Sequence, residues 1–269
     1  MGQLVRQGGF EQAMDIVKIL EVALIAGIIG LDRLAVGQFM VSQPIVAAPL
    51  VGWLCGSFHT GLLVGVVFEL FWLRGLPVGG HVPKNDTLAA ILIVALVLLP
   101  LPHRSEPDPA YIAWTLLAVV LLLYPIGFME QWVRQKNKLL TGVAASASSP
   151  EVGLLRAIGT GLLIFFLYNF LVVFSLLAVL PPMLGSSFAW LSETAREGLR
   201  FFLFLLPAMG VAVLLTRKDP TRGRILPIAG IAVSFVLLVT VGRQSGFMVV
   251  LLSVAALATV LTEQRLRVE

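Results

Sequence analysis

The chain has 269 residues, of which 58% are hydrophobic and 13% charged, and its mean hydropathy is +0.95. A soluble domain carries about 25% charged residues, so a water-solvated surface and a disordered chain are both excluded. Lys and Arg number 19 against 15 Asp and Glu, a net charge of +4. No basic run with interleaved aromatics occurs, so nucleic acid is not an expected partner. The basic excess reads instead as the cytoplasmic loops of a membrane protein.

A spanning helix takes about 20 apolar residues, so with short loops the chain has room for roughly seven to nine membrane segments. The expected fold is an all-α polytopic membrane protein. Cys55 is the single cysteine and permits no internal disulfide.

Residues 1–14 are polar and Gly-rich, with no cleavable signal pattern after them. Asp15, Lys18 and Glu21 share one helical face and can pair. Only ten apolar residues then run uninterrupted, from Val22 to Leu31. The runs Pro44–Cys55 (12 residues) and Gly61–Leu73 (13 residues) are short of a span. Joined by the tight Gly-Ser-Phe-His of 56–59, they predict a re-entrant helical hairpin; two ordinary helices with long polar extensions are the alternative. Gly61 and Gly65 form a small-xxx-small pattern, read as close helix packing. The stretch LPVGGHVP (76–83) follows, with Pro77, Gly79 and Gly80 marking irregular backbone. Such backbone at membrane depth survives where it is buried in protein or lines a cavity. Short, Gly/Pro-interrupted apolar segments also point to a transporter's substrate site.

Plain apolar runs come next, near 87–101, 110–129, 153–180, 199–216, 225–242 and 246–262. The loop at 101–109, the basic stretch after Arg134, the Pro181-Pro182 pair and the basic cluster 217–224 separate them. Placing 130–152 in the cytoplasm puts 217–224, Arg265 and Arg267 on that side too. The 101–109 loop and the polar segment 181–198, with Arg196 and Arg200 in an amphipathic interfacial turn, then lie outside. The expected organisation is a polar segment (1–14), a substrate-site region with the hairpin (15–101), a helical scaffold (102–262) and a cytoplasmic tail (263–269) in a multi-pass membrane protein.

Glu69 is the most informative residue, because no other charge stands between His59 and Arg74. A carboxylate in an apolar segment is expensive and marks function by default; its structural alternative is a partner for Arg74 or for a backbone group. Asp32, Gln38, Gln43, Asn85 and Asp86 complete a concentration of carboxylates and amides, beside Trp53, Phe68, Phe71 and Trp72. Asp86 or Thr87 also suits a helix N-cap. A neutral polyol wants this chemistry, since each hydroxyl both donates and accepts; a cation would use Glu69 and Asp32 as well. His59, His81 and His103 lack metal-ligand spacing, and neither GxxxxGK[ST] nor GxGxxG occurs, so no metal, ATP or other cofactor is expected.

Two segments carry a resemblance: GLDRLAVGQFMVSQPIVAAPLVGWLCG, and TGLLVGVVFELFWLRGLPVGGHVPKNDTLAAIL. Over about residues 25–92 the chain resembles the IIC component of the mannose/fructose/sorbose family of the bacterial phosphoenolpyruvate-dependent phosphotransferase system. The family pattern is a Gln-Pro or Arg-Pro lead-in, a T-G-x-x-x-G-x-x-x-E-L segment and a P-x-G-x-x-V-P-x-D-x-T-L-A loop. The resemblance implies a non-catalytic permease subunit, paired with a IID membrane subunit in an oligomer. Soluble IIA and IIB would relay a phosphoryl group to the incoming sugar. It further implies a sugar site beside the hairpin and an elevator-like movement of the hairpin-bearing part. Glu69 matches the hairpin glutamate and Gln43-Pro44 the lead-in, while Asn85 stands where the family usually has Asp. An ion-coupled small-solute carrier and a transport-deficient scaffold that docks phosphotransferase components stay open beside this reading.

Overall fold

The computed structural model describes residues 16–32, 39–72, 85–101, 105–140, 142 and 149–215. Among them are seven α-helices and no strands: α1 (Ile16–Asp32), α2 (Pro44–Leu54), α3 (Phe58–Trp72), α4 (Asp86–Leu98), α5 (Pro109–Asn137), α6 (Pro150–Ala189) and α7 (Glu193–Leu215). The apolar runs expected at 225–242 and 246–262, with the basic cluster and the tail, lie outside the described residues. Two of the described helices, α5 and α6, are long and apolar enough to cross a membrane.

α1 buries Ile19, Val22, Ala23, Ala26 and Ile29, which recur at helical spacing on one face. That face lies along α6. Gly27 meets Phe166 and Gly30 meets Asn169, equal steps on both helices, so the two run in the same direction. Lys18 pairs with Glu21 at 3.0 Å on the outward side.

α2 and α3 form a tight antiparallel hairpin. Pro44 opens α2, where its missing N–H would be an orphan anyway. The helix closes when Ser57 N–H donates to the Gly52 carbonyl (2.8 Å) and Gly56 N–H to that of Trp53 (3.2 Å). This is the double bond pattern of a Schellman cap, and Gly56 takes the left-handed conformation it requires, at φ 100°. Ser57 then caps α3 by accepting from Thr60 N–H at 3.3 Å. Small residues let the two backbones approach. A side chain at Gly61 would strike the Ala48 carbonyl oxygen, and one at Gly65 would lie 2.6 Å from that of Pro44.

α4 sits at the centre, with every residue from Thr87 to Leu98 buried. A helix apolar all round belongs inside a bundle. It touches α1, α2, α3, α5 and α6. At 13 residues it is about 20 Å long, short of a membrane's hydrocarbon core of about 30 Å.

α5 and α6 pair antiparallel over their length. Tyr111 packs edge-on to Phe188 (5.2 Å between centroids), Trp114 Nε1 donates to Ser187 Oγ (3.2 Å), and the Tyr168 hydroxyl donates to the Ile126 carbonyl (2.8 Å). Pro181-Pro182, expected to begin a loop, lies inside α6. Prolines free two carbonyls one turn back, yet buried Leu177 on one side and the Tyr111 and Trp114 contacts on the other hold the helix continuous. The expected outer segment 181–198 is therefore the end of α6, a short turn, and the first turns of α7. Arg196 closes that turn by donating to the Phe188 and Ala189 carbonyls at the α6 C-terminus.

Candidate functional site

Polar side chains from four helices meet where α1 ends and α2 and α4 begin. Asp32, the last residue of α1, accepts from Phe39 N–H at 2.7 Å through one oxygen and from Ser42 N–H at 3.0 Å through the other. The carboxylate thus fixes the segment leading into α2. Within that segment Met40 holds a left-handed conformation (φ 63°), which costs a non-glycine residue about 1–2 kcal/mol. The two Asp32 bonds, with Gln43 N–H on the Met40 carbonyl at 3.1 Å, hold it there.

α4 ties into the same place. Thr87 donates its hydroxyl proton to the Ser42 carbonyl. Asn85 caps α4, its Oδ1 accepting from Leu88 N–H at 3.1 Å. Its Nδ2 donates to Asn169 Oδ1 at 3.3 Å, and Asn169 Nδ2 donates to the Phe165 carbonyl one turn back in α6. Asn85, Thr87 and Asn169 are all buried.

Glu69 reaches the same node from α3. Its Oε2 accepts from Ile45 N–H at 3.4 Å, in the first turn of α2, where backbone donors have no helical partner. Of the two structural alternatives weighed for this residue, the backbone group is the one it meets; Arg74 lies outside the described residues. The bond is at the long limit, so the carboxylate is weakly held. Glu69 is half-buried, as is Asp86, which lies within electrostatic reach of it. Gln43 is half-buried at the N-cap of α2, and its side chain makes no capping bond.

The structure therefore brings Asp32, Gln43, Glu69, Asn85 and Asp86 to one place; Gln38, Pro77, Gly79 and Gly80 lie outside the described residues. The five divide by accessibility. Asp32 and Asn85 direct their polar atoms at protein partners and shape the node. Gln43, Glu69 and Asp86 stand half-buried beside the N-termini of α2 and α4. The positive dipole ends of both helices lie beside them, while the first-turn N–H groups of Ile45 and Leu88 are taken by Glu69 and Asn85. One amide and two carboxylates that the helix ends leave half-buried are the kind of convergent polar groups a small-molecule site uses. Asn169 went unnoticed in the sequence although it carries the signal that singles out Glu69: one strongly polar side chain inside an apolar run, LLIFFLYNFLVVF. Among the described residues no group of three or more His, Cys, Asp or Glu is placed to hold a metal ion.

Comparison with known proteins gives the fold first. A solved structure described as a membrane protein aligns over 95% of this chain and 96% of its own, with a TM-score of 0.60 and 19% identity. Two Escherichia coli K12 relatives match over 85 residues. The N-acetylgalactosamine permease IIC component 2 is 33% identical over 32% of this chain and 63% of its own length. The mannose-specific EIIC component of the phosphotransferase system is 31% identical over 32% of this chain and 30% of its own. The match thus spans less than two thirds of either relative. A family model described as the phosphotransferase system sorbose-specific IIC component matches residues 16–262, nearly the whole sequence, and the chain belongs to that family.

Proposed function

We propose that this chain is the membrane permease subunit of a mannose-type sugar phosphotransferase system. It binds a hexose-like sugar at the node between α2, α3 and α4 and carries it across the cell inner membrane. The hairpin α2–α3 re-enters the membrane rather than crossing it, and moves elevator-like with its bound sugar. A IID subunit completes the permease in an oligomeric complex, and soluble IIA and IIB carry out the phosphoryl transfer, so this chain is not itself an enzyme. Mannose, N-acetylgalactosamine and sorbose, which name the relatives and the family, are the first sugars to test.

The observation that carries the reading is Glu69, a half-buried carboxylate at the start of α2, in a helix otherwise apolar from Leu62 to Trp72. Its oxygens suit sugar hydroxyls, Gln43 and Asp86 add an amide and a second carboxylate, and Asp32 with Asn85 fix the backbone around them.

The test is Glu69→Gln and Glu69→Ala in the reconstituted complex. A hydrogen bond to a charged group contributes about 1.5–3 kcal/mol, so Glu69→Ala is expected to weaken sugar binding about 10- to 100-fold and Glu69→Gln by less. Unchanged binding and uptake in both variants remove Glu69 from the site. Uptake by this chain alone, independent of phosphoenolpyruvate and collapsed by an uncoupler, would replace the reading with an ion-coupled carrier. Partner binding without sugar-dependent stabilisation would replace it with a docking scaffold.

A further inference from the structure

Asn169 is out of place by every packing argument. It lies in the middle of α6, 3% exposed, among residues that otherwise suit lipid or core. A buried amide there is tolerated only if its donors and acceptor are met. Its Nδ2 meets the Phe165 carbonyl at 2.9 Å, a bond within its own helix. Its Oδ1 looks the other way and takes the Nδ2 of Asn85 at 3.3 Å. Asn85 in turn has its Oδ1 committed to Leu88 N–H, the first turn of α4. The three bonds form one directed chain from α6 to the start of α4. They fix the orientation of both amides, because turning either one would set donor against donor or acceptor against acceptor. Gly30 completes the arrangement: a side chain on it would strike the Asn169 amide, so α1 closes over the pair.

From this geometry we infer that Asn169 is a positioning residue, by which α6 sets the N-terminus of α4 against the hairpin. The start of α4 carries Asn85, Asp86 and Thr87, and Thr87 in turn holds the Ser42 carbonyl just before α2. A displacement of Asn85 therefore reaches Asp86 directly and the α2 N-terminus through Ser42. Asn169 touches no sugar; it acts through Asn85. The inference rests on the proposed sugar site for its functional consequence, but not for the mechanical one.

Three substitutions test it in the full chain purified with its co-expressed partners. Asn169→Leu keeps the volume and removes the acceptor. Asn169→Asp keeps an oxygen for Asn85 and gives up only the bond to the Phe165 carbonyl of its own helix. Tyr168→Phe removes a buried hydrogen bond from the same turn of α6, but one directed at Ile126 of α5. Binding is read with radiolabelled mannose, sorbose and N-acetylgalactosamine in parallel, and amide hydrogen exchange is read over residues 85–90. Losing a buried partner should raise the sugar Kd of Asn169→Leu about tenfold or more and speed exchange over 85–90. Asn169→Asp should stay within about threefold, and Tyr168→Phe should change neither readout. If Asn169→Leu does not fold, Asn169→Ser, too short to reach Asn85, carries the same expectation. Binding in Asn169→Leu no weaker than in Tyr168→Phe would overturn the inference, as would an Asn169→Asp as impaired as Asn169→Leu. If the unaltered protein binds none of the three sugars, the permease reading fails. Exchange over 85–90 then decides alone: faster in Asn169→Leu only, the positioning role stands; unchanged, it falls.

Discussion

Asp108, at the junction of α4 and α5, accepts from Ala110 N–H at 2.9 Å and so caps α5. It also accepts from Nε and Nη2 of Arg200 in α7, both at 3.0 Å. Burial alone would raise the Asp108 carboxyl, but the Arg200 hydrogen bonds and the Ala110 amide outweigh it and hold the group below the usual carboxylate range. A carboxylate easier to ionise in the folded protein stabilises it fully above its ordinary, unfolded-state range. That stability fades as the pH falls through the lowered folded value. Thermal unfolding of the purified protein should therefore show a loss of stability under acid conditions that Asp108→Asn reduces; a variant with the same acid profile as the unaltered chain would refute the assignment. Both side chains are about a third exposed, so solvent screens the pair, and Arg200→Ala should cost about 1 kcal/mol.

Among the elements, the α2–α3 hairpin and α5 make opposite predictions for the same substitution. At Gly61 an added methyl meets backbone, the Ala48 carbonyl oxygen and the Pro49 Cα at 2.8 Å, neither of which can move without parting the helices. Overpacking of this kind costs about 1–3 kcal/mol, more than the gain of up to about 1 kcal/mol that alanine brings to a helix interior. Gly61→Ala should lower the unfolding temperature and loosen the hairpin. Gly127 in α5 has nothing within 4 Å of the same position, so Gly127→Ala should stabilise by up to about 1 kcal/mol. Equal effects at the two sites would mean that the hairpin backbones are not in close contact. The hairpin was also the most legible element. Its two short apolar runs and the Gly56-Ser57 join differ from α2 and α3 by three residues or fewer at any end. Local chemistry decides such boundaries: a proline start, a left-handed glycine, a serine cap. The course of α6 through Pro181-Pro182 was not legible, because it depends on what α5 places against it. Nor was the role of Asp32, whose partners lie seven and ten residues on, in a turn that periodicity does not reveal.

For the molecule as a whole, composition settled membrane placement before any contact was known, and the outward side chains agree: Leu121, Tyr124 and Phe128 of α5 are 77%, 78% and 71% exposed. Large apolar groups in that number on one helix need lipid or a partner to cover them. Sidedness is a separate matter, since charge in the loops argues for it and helix pairing constrains it. α5 and α6 stay paired from Tyr111 with Phe188 to Asn137 with Gly161. From Tyr111 to Asn137 is about 39 Å of helix, more than the hydrocarbon core of about 30 Å. If both helices cross, the 105–108 segment and the α6–α7 turn, joined by Asp108 and Arg200, emerge on one side and the α5–α6 connection on the other. Arg134, Lys136 and Lys138 near that connection point it to the cytoplasm. In a Cys55→Ser background, single cysteines at Glu106→Cys and Thr194→Cys should react with an impermeant maleimide on intact cells, and Leu139→Cys should react only in inverted vesicles. If 106 and 194 react from opposite sides, α5 and α6 do not both cross. If all three react from outside, the basic loop lies opposite to its predicted side.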